Sequence, residues 1–103
     1  MGPSERREHD RITYFTEAWL DGLDVGRIPC RLSDISVGGA FLDARTTLPV
    51  GTRARLRFRL DEQEIEVVAE VRYSAPGFGM GLRFLDLTEN DRRVIQSFVT
   101  NRK

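Results

Sequence analysis

Two short clusters of side chains carry the chemistry that this chain is equipped to do. Arg6, Arg7 and Arg11 stand in the segment Arg6-Arg7-Glu8-His9-Asp10-Arg11; Asp34, Ser36 and Gly39 stand in Asp34-Ile35-Ser36-Val37-Gly38-Gly39. A guanidinium is a planar fork of donors that meets phosphate, or two acceptors on a base edge, through paired hydrogen bonds, and it stacks flat on rings. Aspartate supplies what arginine lacks, an acceptor for N–H donors. Serine adds a small hydroxyl, and glycine, having no Cβ, lets backbone turn sharply or approach another group closely. Each cluster taken alone has a plainer reading. Charge runs are usually solvated, and Asp-x-Ser is a common turn-former between strands. No catalytic constellation is visible. His9 is the single histidine and has no partners for a metal or general-base role. Cys30 alternates with apolar neighbours and reads as a small core residue rather than a nucleophile.

The elements that must position these residues follow from hydrophobic periodicity. Residues 1–11 are polar and aperiodic and read as a mobile N-terminal arm. From Ile12 the pattern alternates, with Ile12, Tyr14, Thr16, Ala18 and Leu20 on one face of a strand. Gly22 and Gly26 flank a turn, and Ile28, Cys30 and Leu32 alternate again. Ala40-Phe41-Leu42 starts a short strand that stops at Leu48-Pro49-Val50-Gly51. In RARLRFRL, Ala54, Leu56, Phe58 and Leu60 face one way and Arg53, Arg55, Arg57 and Arg59 the other. After a turn around Asp61-Glu62-Gln63, Ile65, Val67, Ala69, Val71 and Tyr73 share a face, with Glu64, Glu66, Glu70 and Arg72 opposite. An antiparallel hairpin of these strands sets arginines against glutamates, each pair contributing about 0.2–1 kcal/mol. The Arg53–Arg59 face therefore reads as solvated, a nucleic-acid platform being the alternative. Trp19, on the polar phase of the first strand, is an interface anchor or simply half exposed. A last strand includes Leu82 and Phe84. Thr88 then caps a helix whose stripe is Val94, Ile95, Phe98 and Val99, with Arg102 and Lys103 suited to its C-terminal end. Residues 12–103 thus form a mostly β unit, a six-stranded antiparallel barrel with a C-terminal helix from about residue 89.

Composition narrows the function. A chain of 103 residues is one domain, and 40% hydrophobic with 31% charged residues is ordinary for a globular protein. The 16 basic and 16 acidic side chains cancel, which argues against a general polyanion binder, since that needs a basic surplus. Lys103 is the only lysine, a bias that codon usage alone produces, so arginine placement rather than abundance is informative. No apolar run reaches the roughly 20 residues of a transmembrane helix, and the start MGPSERREHD is unlike a secretory signal. One cysteine excludes an internal disulfide. A cytoplasmic protein without membrane insertion is expected.

In the right order, each beside the expected strand, the two clusters resemble the PilZ domain family. Its pattern is Arg-x-x-x-Arg in an N-terminal loop, matched by Arg7 and Arg11, then Asp/Asn-x-Ser-x-x-Gly, matched by Asp34, Ser36 and Gly39. The segment Gly79-Met80-Gly81-Leu82-Arg83-Phe84 and the terminal helix extend the resemblance over the whole chain. The resemblance implies a split-barrel fold and a non-enzymatic receptor for cyclic di-GMP, coupled to an unidentified protein effector in motility, exopolysaccharide or biofilm control. Arg7 and Arg11 would take guanine acceptors and phosphates, and Asp34 the guanine N–H donors; Ser36 would bond to phosphate or to Asp34, and Gly39 would admit the ligand. Arg6, immediately before the first motif, implies two stacked ligands per protomer in place of one. No cofactor, metal or nucleic acid is expected, and the protein is expected to be a monomer or weak dimer. The competing readings are a PilZ-shaped adaptor that binds no nucleotide and a small barrel for single-stranded nucleic acid. The latter needs exposed aromatics on a basic groove, whereas Phe58 and most other aromatics fall on the core phase.

Overall fold

In the computed structural model, which describes residues 10–22 and 26–102, alternation is translated into six strands and a helix. These are β1 (Ile12–Gly22), β2 (Gly26–Ile35), β3 (Gly39–Asp43), β4 (Arg53–Leu60), β5 (Gln63–Ala75), β6 (Gly79–Phe84) and α1 (Glu89–Arg102). All pairings are antiparallel, and the order β1-β2-β3-β6-β5-β4 closes into a barrel as β4 returns to β1. The expected fold class is the observed one. Closure matters for so short a chain because it leaves no strand edge with unpaired backbone groups.

The inward phase of every strand fills the barrel. Leu20, Leu32, Leu42, Leu56, Phe58 and Met80 are fully buried, and the Phe58 and Phe84 rings stack at 6.1 Å between centroids. Outside, the β4–β5 register sets Arg57 opposite Glu66, Arg59 opposite Glu64 and Arg53 opposite Glu70. Arg57 reaches Glu64 at 3.4 Å and Glu66 at 3.7 Å, and Arg55 reaches Glu66 at 3.4 Å. Trp19 is half buried on that outer side, registered between Pro29 and Arg57.

Helix α1 starts as its cap dictates, Thr88 Oγ1 accepting from the Asp91 amide at 3.0 Å. Ile95, Phe98 and Val99 are buried, while Val94 is only half buried. The Phe98 ring meets Tyr14 of β1 edge-on at 4.6 Å. At the other end of the stripe Arg102 pairs with Asp61 at 2.8 Å, in the β4–β5 turn.

Three features depart from simple alternation, and all come from register shifts. Tyr73 does not continue the inward face of Val71: the shift between Val71 and Tyr73 turns it out, leaving it 58% exposed. A second shift, between Leu32 and Asp34, lets β2 run on to Ile35, so Asp34 belongs to a strand rather than to the loop after it. A third lies between Thr13 and Thr16 on β1. A bulge puts one extra residue against a partner strand and re-aims the side chains around it. With Tyr73 turned out, it joins Phe15 on the outward phase of β1 and Phe78 in the β5–β6 turn as aromatics that are at least half exposed.

Candidate functional site

The β2–β3 connection is a short loop organised by its own serine. The Ser36 amide donates to the Gly39 carbonyl at 2.8 Å, and Ser36 Oγ accepts from the amides of Gly38 at 3.1 Å and Gly39 at 3.2 Å. Ser36 is 2% exposed and is the buried polar side chain of the described residues. Its hydroxyl therefore satisfies backbone donors that the turn would otherwise leave orphaned. It makes no bond to Asp34, and it faces the loop rather than solvent. The far end of the loop is tied to β6, where the Phe84 amide donates to the Gly38 carbonyl at 2.9 Å. Gly39 is needed for the same reason: a Cβ there would collide with the Leu82 carbonyl oxygen of β6. Glycine here serves close strand approach.

Asp34 stands at the bulge immediately before this loop, registered against Thr13 on one side and Phe41 on the other. Its carboxylate is half exposed and accepts from Arg11 Nη1 at 2.5 Å. The fold thus joins one residue of each sequence cluster, 23 positions apart, in a single ion pair. Arg6, Arg7, His9 and most of the expected arm lie outside the described residues. Phe41, across from Asp34, is half buried with its ring lying against Gly79 and Gly81, and its centroid is 6.4 Å from that of Tyr73. Next to β1, Arg31 lies 4.8 Å over the Phe15 ring while pairing with Asp43 at 2.9 Å.

Cys30 Sγ is within hydrogen-bonding distance of the Ala18 carbonyl at 3.5 Å, and burial pushes its thiol up to about 11. It is protonated at neutral pH, the state of a packing residue rather than of a nucleophile. Among the described residues no group of three or more His, Cys, Asp or Glu converges to hold a metal, and no helix is long and apolar enough to cross a membrane.

Comparison with known proteins bears on this geometry. The family model for the PilZ domain matches residues 5–101. The chain belongs to the PilZ domain family. Its fold is similar to that of the Bacillus subtilis inhibitor of motility (MotI/DgrA), with a TM-score of 0.82 and 23% identity over 99% of this chain and 56% of that one. It is similar too to Escherichia coli YcgR in complex with c-di-GMP, with a TM-score of 0.78 and 20% identity over 93% of this chain and 45% of that one. The separate PilZ domain of YcgR with c-di-GMP superposes with a TM-score of 0.73 and 19% identity, over 93% of this chain and 90% of that one. The chain thus spans about half the length of the first two. None of the curated proteins compared matches it.

Proposed function

We propose that this chain is a receptor for cyclic di-GMP that signals by binding rather than by catalysis. The observation that carries the reading is the Arg11–Asp34 pair beside the Ser36–Gly39 loop, in a fold shared with a YcgR structure holding c-di-GMP. The two partners have complementary uses for such a ligand. Asp34 accepts from guanine N–H donors, and Arg11 with Arg7 forks onto guanine O6 and N7 or onto phosphate. Ser36 and Gly39 contribute by shaping the loop. In the unbound protein the two charged groups satisfy each other, so a ligand that engages either one releases the other for a second contact. Arg6 extends the set to a second stacked ligand. Binding orders the arm and alters a surface read by a protein effector, in motility, polysaccharide or biofilm control inside the cell.

Calorimetric titration with cyclic di-GMP tests this directly. Arg7→Ala and Arg11→Ala should each abolish or severely weaken binding while leaving the thermal midpoint nearly unchanged. Asp34→Ala should cost about 1.5–3 kcal/mol, the usual range for hydrogen bonds to charged groups, and Asp34→Asn less. Wild-type protein that takes up no ligand would refute the receptor reading. An adaptor that binds no nucleotide has one observation in its favour, the outward Phe15, Tyr73 and Phe78, and the same titration decides against it or for it. The single-strand reading loses one objection to those aromatics but keeps the other: the arginines of β4 face glutamates, and the net charge is zero.

A further inference from the structure

Besides the Arg11–Asp34 surface, the Ser36–Gly39 loop borders a second feature, a polar cleft of about 180 Å³ between β6, α1 and the loop itself. Val37 and Gly38 form one wall, Arg83 at the end of β6 another, and Leu87 and Arg92 close it from the helix side. Among the described residues neither arginine has an ion-pair partner, although the surface around them is rich in such pairs: Arg93, next to Arg92, holds Glu89, and Arg102 holds Asp61. The backbone of the loop does not neutralise them either. The Gly38 carbonyl is taken by the Phe84 amide, and the Gly38 amide by Ser36 Oγ. Two guanidinium groups that line one small polar cleft and have no ion-pair partner among the described residues suit a doubly contacted anion, phosphate above all.

We propose that Arg83 and Arg92 form a phosphate subsite that receives a phosphodiester of the cyclic dinucleotide. The inference rests on the receptor reading above and adds two residues that neither sequence cluster contains. Reach supports it. Asp34 and Gly38 are four residues apart in the chain, so their backbones are separated by no more than about 14 Å at full extension. A molecule carrying two guanines and two phosphates, alone or as a stacked pair, can hold Asp34 with a base and cross the loop with a phosphate. Arg92 would also bring α1 into contact with the ligand, giving the helix a direct part in reporting occupancy.

The test titrates cyclic di-GMP into the full chain, its Arg83→Gln and Arg92→Gln variants, and Arg59→Gln, which alters an exposed arginine of β4 outside the cleft. Each cleft variant should lose at least five-fold in affinity and show a shallower dependence of affinity on salt, as fits a lost phosphate contact. Arg59→Gln should behave as wild type. In the wild-type protein, the side-chain Nε–H resonances of Arg83 and Arg92 should shift on adding cyclic di-GMP, a readout that requires no variant to fold. Undiminished affinity and salt slope in both cleft variants, with wild-type binding intact, would overturn the subsite and leave the receptor reading standing. Wild-type protein that binds no cyclic di-GMP would remove both.

Discussion

Gly39 illustrates how tightly a single residue of the site is also a residue of the fold. It takes its place in β3 opposite Arg83, and a side chain there would meet the carbonyl of Leu82 rather than an open groove. Gly39→Ala should therefore lower stability by about 1–3 kcal/mol, the range for forcing extra atoms into packed structure. Urea unfolding would read this as a lower midpoint with unchanged slope, and an unchanged midpoint would show that β6 gives way at no cost. Cys30 offers a second residue-scale expectation. Its thiol is raised from 9.0 to about 11 by burial, so the unfolded chain releases this proton first. Stability from this group is complete below pH 9 and declines as pH rises from about 9 to about 11. Cys30→Ala should flatten that decline in denaturation curves collected across the window. At this scale the sequence was partly legible. The spacing of Asp34, Ser36 and Gly39 identified the loop, because a turn residue, a small hydroxyl and a glycine declare local backbone needs. That Ser36 turns inward could not be read, since a serine that caps amides and one that awaits a ligand look alike. Arg83 and Arg92 were invisible as a pair because only the fold brings the end of β6 to the first turns of α1.

Helix α1 is held by the burial of Ile95, Phe98 and Val99, and its last turn is held also by one arginine. Arg102 pairs with Asp61 and also lies 4.2 Å over the Phe98 ring and 5.3 Å from that of Tyr14. Asp61 itself adopts a φ of 57°, a left-handed conformation that aspartate tolerates better than most residues. Exposed ion pairs and cation–π contacts each contribute up to about 1 kcal/mol. Arg102→Ala should thus cost about 1 kcal/mol in global stability and speed amide exchange in residues 97–101, leaving the barrel amides protected. Equal protection in both proteins would show the pair to be ornamental. Elements were the most legible level. The β4 and β5 alternation, the glutamate-facing arginines and the Thr88 cap all follow from residue type and period. Bulges were not legible, because one extra residue shifts the phase without a compositional mark, and Tyr73 and the end of β2 moved for that reason.

For the molecule as a whole, the proposed receptor role carries a prediction about how many ligands one barrel takes. Two stacked cyclic dinucleotides bring four phosphates together, and their mutual repulsion requires more cations than one site residue of each type can supply. Under the proposed function and the further inference, Arg6, Arg7, Arg11, Arg83 and Arg92 would supply that surplus in a chain whose net charge is zero. Titration well above the dissociation constant should give two ligands per protomer, with Arg6→Leu moving the ratio towards one while the first binding event persists. A one-to-one ratio in the wild type would refute the part given to Arg6 but not the ligand.

The contact between Tyr14 and the last turns of α1 has a topological consequence. The path of the chain enters the barrel and leaves it at one place, with Phe98 4.6 Å from Tyr14. The strands between form a closed ring with no first or last member. Such a module behaves as a cassette: spliced into a longer polypeptide, it adds its volume without forcing the flanking segments apart. The Tyr14–Phe98 contact is where the first strand and the last helix of such a cassette meet.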